Sequence, residues 1–207
     1  MILPHRSEPD VVVLHALRCV GASGVGRLTD AVARTDIDVE DVLLALAAQG
    51  LVANTRGPFG GWSLTDAGRA ANADRIAGEL ADAGARSRVE EAFDRFLELN
   101  PCLLDVCTAW QLRGPGDASQ LNDHLDAGYD ARVLRRLAAL DREARVVCRD
   151  LAAALDRFAA YGVRLAASLV RARTGVTGAV ADDLDSYHAV WFQLHEDLLV
   201  TLGRPRW

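Results

Sequence analysis

The sequence contains no lysine, so all 23 of its basic residues are arginine. This bias, together with a high alanine content, is typical of a GC-rich bacterial genome. Aromatic residues make up only 6% of the 207 residues, and alanine and leucine dominate, which favours helices over sheets. No apolar run approaches the roughly 20 residues that a membrane-spanning helix needs, and the amino terminus has no signal-peptide pattern. We therefore expect a cytoplasmic protein that makes no contact with a membrane.

Cysteine is scarce, and its spacing does not indicate a metal or redox site. The four cysteines form no C-x-x-C pair. Cys102 and Cys107 are too far apart in sequence to match the i, i+4 spacing of one helix face. We expect reduced, buried thiols at all of these positions. They are Cys19, Cys102, Cys107 and Cys148.

Catalytic motifs are absent as well. The sequence has no G-x-S-x-G, no Walker A motif and no G-x-G-x-x-G after a strand, so we expect no enzyme activity, cofactor or metal ion. Half of the residues are hydrophobic, which is enough to bury a core. The formal net charge of −6 makes nucleic-acid binding depend on a local basic face.

The first 70 residues have the pattern of three helices followed by a β-hairpin. Apolar residues recur every three or four positions in PDVVVLHALRCVG, VGRLTDAVART and DVEDVLLALAAQG. Two β-prone runs then flank the tip RGPFGG, and Thr65 occupies the N-cap position of a further helix. Three helices with a hairpin wing form a winged helix, a variant of the helix-turn-helix. We therefore predict a winged-helix domain over residues 1–70.

One known family has a similar pattern. The motif LxALxxQGLV, followed after the tip by GWSLTDAGR, resembles the third helix, the wing and the next helix of MarR-like winged-helix regulators. The resemblance covers Val11 to Ala71, and its motifs are more specific for a winged helix than for one family. It implies a dimeric transcriptional regulator. The third helix would enter the major groove of double-stranded DNA, and the wing would lie against the DNA backbone.

The predicted third helix has an outward face that differs from a DNA-reading surface. Its inward residues are Val39, Val42, Leu43 and Leu46, and its outward residues are Glu40, Asp41, Leu44, Ala45 and Ala48. Base edges are usually read by Arg, Lys, Asn or Gln, and carboxylates repel phosphates. The small apolar strip suits packing against the rest of the chain or against a second subunit. If DNA is bound, the predicted phosphate contacts are Arg27, Arg34, Arg56, Gly57 and Arg69.

Two aromatic residues belong to the predicted wing. Phe59 at the tip is expected to be exposed or inserted into a partner. Trp62 begins the return strand and is expected in the core.

Residues 71–207 have helical periodicity almost throughout and predict an α-helical bundle that senses a ligand or supports dimerisation. Asn100 and Pro101 predict the start of a helix. The segment GPGDASQLNDHLDAG predicts a polar connection. The apolar pattern from Asp130 to Arg173 predicts a helix pair or one long helix bent near Gly162. The last helix carries one apolar face, made of Tyr187, Trp191, Leu194, Leu198 and Leu202.

Two groups in this part are candidates for lining a small-molecule pocket. They are Trp110, Gln111 and Arg113, and, on the last helix, His188, Trp191 and His195. Arg113 suits an acidic ligand. The alternative is that these tryptophans and histidines are interior residues satisfied by their neighbours.

A metal site is not predicted here. His188 and His195 lie two helical turns apart, about 10 Å, which is too far for one ion to bind both. Other helices would have to supply ligands, and no motif marks His124, Asp183 or Asp185 for that role.

The sequence leaves two functions open. The first is a bacterial DNA-binding transcriptional regulator, acting as a homodimer, whose helical domain binds a small-molecule effector. The second is a protein-interaction or regulatory module that keeps the winged-helix fold without specific DNA binding.

Overall fold

The computed structural model describes residues 3–57, 60–114 and 119–205. Within them it contains eight α-helices and two short antiparallel hairpins, which confirms the predicted mainly α-helical fold. Phe59 and residues 115–118 of the predicted polar connection lie outside the described residues. Within the described residues, no helix has both the length and the apolar composition needed to cross a membrane.

The chain divides into two compact units. Unit 1 consists of Met1–Glu90, Leu151–Ala160 and Gln193–Trp207, and unit 2 consists of Glu91–Asp150 and Tyr161–Phe192. The sequence separates residues 1–70 from residues 71–207. The division by contacts differs, because two segments from late in the chain pack with the amino-terminal helices.

Unit 1 begins with three helices and a hairpin, followed by a longer helix. The elements are α1 (Pro9–Val20), α2 (Val25–Val32), α3 (Val39–Ala48), β1 (Val52–Thr55), β2 (Gly61–Leu64) and α4 (Asp66–Asp82). The Thr65 hydroxyl accepts a hydrogen bond from the Gly68 amide at 3.0 Å, which confirms the predicted N-cap of α4. Side chains such as Leu14, Leu28 and Leu43 from the first three helices share one buried core with the hairpin.

The hairpin is tied to the turn between α1 and α2. Ser23 and Trp62 exchange two backbone hydrogen bonds, of 3.0 and 2.8 Å, in an antiparallel bridge. Gly61 allows this close approach, because a Cβ at that position would lie 2.8 Å from the carbonyl oxygen of Ser23. Trp62 is 7% exposed and part of the core, as predicted.

Each of the four remaining helices has residues in both units. The elements are α5 (Arg86–Gln111), β3 (Leu112–Arg113), β4 (Gln120–Leu121), α6 (Ala127–Ala154), α7 (Ala159–Arg173) and α8 (Tyr187–Leu202). The prediction that a helix starts at Pro101 is wrong, since α5 continues through it. Proline removes the donor to the carbonyl four residues earlier, that of Leu97, and Leu97 is 39% exposed on the solvent side.

The long pattern from Asp130 to Arg173 is interrupted, but not at Gly162. Leu155 has an extended backbone and is followed by a 3-10 turn at Asp156–Phe158. The Asp156 amide donates to the carbonyl oxygen of His5 at 3.0 Å. This contact with the amino terminus accounts for the break, because it takes the backbone out of the helical hydrogen-bonding pattern. Gly162 itself lies within α7.

Buried aromatic rings form part of the interior of unit 2. The Phe96 ring stacks on Trp191 with 4.4 Å between centroids, and the Trp191 indole donates to Asn100 Oδ1 at 3.0 Å.

The predicted apolar face of α8 is confirmed, because its five residues are all buried. Cys107 is buried as expected, whereas the prediction of a buried Cys102 is wrong, since Cys102 lies on the outer side of α5.

Candidate functional sites

The outward face of α3 is open to solvent. Every residue that the helical pattern places there is exposed, and Leu44 is 55% exposed. These residues are Glu40, Asp41, Leu44, Ala45 and Ala48. In the part of the chain that the structure describes, this strip is therefore not covered by the rest of the protein.

The amino terminus of α3 is closed to anions. The Asp38 carboxylate accepts hydrogen bonds from the amides of Glu40 and Asp41, both at 3.1 Å. Free amides at a helix amino terminus are what attracts a phosphate, and here an acidic side chain already occupies them. Three carboxylates gathered at this end repel a DNA backbone.

Arg34, a predicted phosphate contact, is engaged inside unit 1. Its guanidinium donates to both Asp36 oxygens, at 3.1 and 2.8 Å, and to the Ser7 carbonyl at 2.8 Å. The hydrogen bonds to Asp36 raise the pKa of Arg34, and in turn they lower the pKa of Asp36. With its side chain 15% exposed, Arg34 offers little positive charge to a phosphate.

The other predicted phosphate contacts are more accessible. Arg56 and Gly57 follow β1 and are exposed, and Arg69 is exposed on α4. Gly57 has a φ of +128°, a conformation that favours glycine. Arg27 is half-buried, and its guanidinium donates to the Ser23 hydroxyl at 3.1 Å. Together these groups present few positive charges to a DNA duplex.

The first predicted pocket group of unit 2 binds neighbouring side chains and carbonyls. The Trp110 indole donates to the Thr177 carbonyl at 2.9 Å. The Gln111 amide donates to Asp182 at 2.7 Å. Trp110 is 2% exposed, which agrees with the alternative of a satisfied interior residue.

Arg113 is engaged as well. Its guanidinium lies 2.9 Å from an oxygen of Asp126 and 4.7 Å over the ring of Tyr129. The amide of Tyr129 and this guanidinium lower the pKa of Asp126. Arg113, which the sequence suggested as the group that binds an acidic ligand, is therefore already paired with an acidic side chain of the protein.

The second predicted group is divided between the two units. Trp191 is 2% exposed and belongs to the aromatic interior of unit 2. His188, also in unit 2, and His195, in unit 1, are half-buried. A groove of about 490 Å³ does exist in unit 2, but its lining, which includes Tyr129 and Arg136, contains none of the six predicted residues.

His124, Asp183 and Asp185, the other residues considered as metal ligands, do not form one metal site. His124 Nδ1 pairs with Asp130 at 2.9 Å. Asp183 and Asp185 each bind the Arg171 guanidinium at 2.5 Å. Their carboxylates are therefore already balanced by a fixed cation.

Sequence reasoning missed a buried ionic network in unit 1. Arg157, at the 3-10 turn, donates to Glu79 at 2.8 Å, to Asp197 at 2.5 Å and to the Thr201 hydroxyl at 2.7 Å. These side chains come from α4, the turn and α8, and each is 7% exposed or less. Although burial opposes its charge, the two carboxylates raise the pKa of Arg157.

His15 extends this network to α1. Its Nε2 lies 3.0 Å from Asp197 Oδ1 and 3.6 Å from Cys19 Sγ, and its Nδ1 lies 3.2 Å from Asn72 Oδ1. Burial by itself lowers the pKa of His15, but Cys19 and Asp197 outweigh it and raise that pKa to about 10. The i, i+4 spacing of His15 and Cys19 was the available sequence signal, whereas nothing in the sequence links them to Asp197.

Comparisons with known proteins identified no relative of this chain. A scan against family models and searches of curated proteins and of solved structures found no match to this chain.

Proposed function

We propose that this protein is a regulatory protein whose unit 1 contains a winged-helix module that binds a partner protein through α3. The order of three helices and a hairpin supports the winged-helix assignment. The bridge between Ser23 and Trp62, which joins the α1–α2 turn to the hairpin, supports it further.

The observation that carries the proposal is the composition of the exposed face of α3. It presents the apolar Leu44, Ala45 and Ala48, with Glu40 and Asp41 at one end. DNA phosphates repel the two carboxylates, and base edges are read mostly by Arg, Lys, Asn or Gln, none of which belongs to this face. A protein surface with an apolar strip beside arginine or lysine complements both the apolar residues and the carboxylates, since burial supplies affinity and opposite charge supplies orientation.

A DNA-binding transcriptional regulator that acts as a homodimer is the second candidate. The exposed Arg56 and Arg69 favour it, because phosphate contacts require no base-reading side chain. In this case the wing supplies most of the affinity and α3 supplies little sequence specificity. The helical remainder would hold the effector site and the dimer contacts.

Binding to a generic labelled duplex, measured by fluorescence anisotropy at about 50 mM salt, separates the two candidates. We expect no binding by the wild type and weak, salt-sensitive binding by Glu40→Arg/Asp41→Arg. The control Asp74→Arg/Asp82→Arg makes the same charge change at exposed positions of α4 and leaves the duplex unbound. Steep salt-dependent binding by the wild type, lost in Arg56→Ala/Arg69→Ala, would contradict the proposal and support the DNA-binding regulator.

A photo-crosslinking residue tests the protein contact directly. Placed at Ala48 in cells, it should give a discrete adduct that disappears when Glu40→Arg/Asp41→Arg is added. The same residue at Ala81, which is exposed on α4, is the matched control and should give no such adduct. An adduct that forms equally from both positions would show that α3 is not the docking surface.

A further inference from the structure

We propose that His15, Cys19 and Asp197 hold one divalent metal ion of the zinc type in unit 1. The proposal does not depend on the proposed function, because it concerns the interior of the unit rather than its α3 surface. One nitrogen, one sulfur and one oxygen, all buried, lie within 4.8 Å of one another.

Two of the three separations between these atoms match a zinc site. Tetrahedral zinc, with bonds of about 2.0–2.3 Å, places its nitrogen and sulfur ligands about 3.6 Å apart and its nitrogen and oxygen ligands about 3.3 Å apart. His15 Nε2 lies 3.6 Å from Cys19 Sγ and 3.0 Å from Asp197 Oδ1. Both of these separations are close to the expected values, and the third, between Cys19 Sγ and Asp197, is no more than 4.8 Å.

Helix geometry brings the three ligands together. His15 and Cys19 are four residues apart on α1, so their side chains project from one face. Asp197 comes from α8, in a segment of unit 1 that lies far along the chain. The ion would thus link the first and last helices of the unit.

The neighbouring residues orient the ligands as metal sites require. Both Oδ1 and Nδ2 of the Asn72 amide lie 3.2 Å from His15 Nδ1. When Nδ1 donates to Oδ1, the lone pair of Nε2 is directed towards the sulfur and the carboxylate. Arg157 and, at 3.0 Å, Thr201 donate hydrogen bonds to Asp197 Oδ1, the same oxygen that lies 3.0 Å from His15 Nε2. Such bonds to a ligating carboxylate are usual around protein-bound metals.

Arg157 is the strongest objection, because a buried guanidinium repels a cation. It is balanced by Glu79, whose Oε2 it binds at 2.8 Å and whose buried Oε1 has no hydrogen-bond partner among the described residues. Binding of the ion displaces the protons of the Cys19 thiol and the His15 imidazolium, so three negative groups then face one guanidinium and one divalent ion. The total charge is zero, so the interior can hold the ion despite Arg157.

The ligand types identify the class of ion. Magnesium and calcium prefer oxygen, whereas a mixed set of thiolate, imidazole and carboxylate suits zinc, and cobalt(II) substitutes as a spectroscopic probe. All three ligands are buried, and a tetrahedral zinc ion that they hold keeps a fourth position for water or another ligand.

Cobalt(II) titration of the chelator-treated, full-length protein tests the site. All proteins carry Cys102→Ser, because that thiol is exposed and would bind cobalt by itself. We expect one equivalent to bind with a sulfur-to-cobalt charge-transfer band. Adding Cys19→Ser should abolish the band, whereas the control Cys148→Ser, at a buried thiol of unit 2, should retain it. No band in the parent, or a band that survives Cys19→Ser, overturns the proposal.

A second measurement on the wild type requires no variant, in case Cys19→Ser fails to fold. Thiol alkylation is followed at each cysteine by mass spectrometry, with and without zinc. We expect zinc to slow the labelling of Cys19 at least tenfold and to leave Cys107 and Cys148 unchanged. Burial already raises the pKa of Cys107 to about 11 and that of Cys148 to about 12. Equal Cys19 rates with and without zinc would overturn the proposal.

Discussion

The interiors of the two units are both largely apolar, but they differ in the further interactions that they contain. Unit 1 buries a guanidinium, Arg157, with the carboxylates of Glu79 and Asp197. In unit 2 the stacked rings of Phe96 and Trp191 form the corresponding buried contact. Charged hydrogen bonds demand fixed partners at fixed distances, whereas apolar burial tolerates small rearrangements. The two interiors should therefore respond differently to the loss of a single side chain.

Arg157→Met should have the largest effect. It leaves Glu79 and Asp197 buried without their shared cation, and breaking a buried pair in this way costs about 3–5 kcal/mol of unfolding free energy. Urea denaturation of chelator-treated protein, followed by circular dichroism, measures the loss. The control is Arg95→Met, whose ion pair with Asp150 is 43% and 37% exposed, and which should cost about 0–1 kcal/mol. Equal losses for both variants would remove the contrast between buried and surface charge.

Trp191→Phe should have an intermediate effect. It removes the indole that donates to Asn100 at 3.0 Å but keeps an aromatic ring against Phe96. Because Asn100 is only half-buried, water can replace the lost donor, and we expect a loss of about 1–2 kcal/mol. The same urea titration provides the measurement. A loss as large as that of Arg157→Met would show that unit 2 also depends on directional bonds.

Tyr187→Phe should have the smallest effect. Burial raises the pKa of Tyr187, so its hydroxyl stays neutral and donates to Asp141 over a long 3.3 Å. Asp141 keeps a 2.6 Å bond from Arg145 to its other oxygen, so the carboxylate retains a charged partner. We expect a change of no more than about 1 kcal/mol in the unfolding free energy, again from urea titration. A larger loss would mean that the hydroxyl, rather than the ring, holds this part of unit 2.

Local signals predicted most of the helices and the exposed face of α3. The alternation of apolar and polar positions placed Leu43 and Leu46 inside and Leu44 outside, because one turn of a helix determines which way a side chain faces. The same reasoning failed at Pro101. There the sequence contains a start signal, but the helix continues, since its packing outweighs one missing hydrogen bond.

The candidate sites were less predictable. Trp110 and Arg113 have the residue types of a pocket, but in the structure their donors bind Thr177 and Asp126. Whether a polar side chain is free or satisfied depends on residues elsewhere in the chain, so periodicity and composition cannot decide it.

The sequence by itself determined the helical class, the hairpin after the third helix and the acidic, apolar outer face of α3. Each of these follows from neighbours within a few residues, through helix periodicity and turn preference. Only the tertiary structure decided that His15 and Cys19 meet Asp197, about 180 residues later in the chain. It also decided that Arg34 binds Asp36 and Ser7 rather than remaining open to phosphate. Contacts between distant segments depend on how the whole chain packs, and no local pattern encodes them.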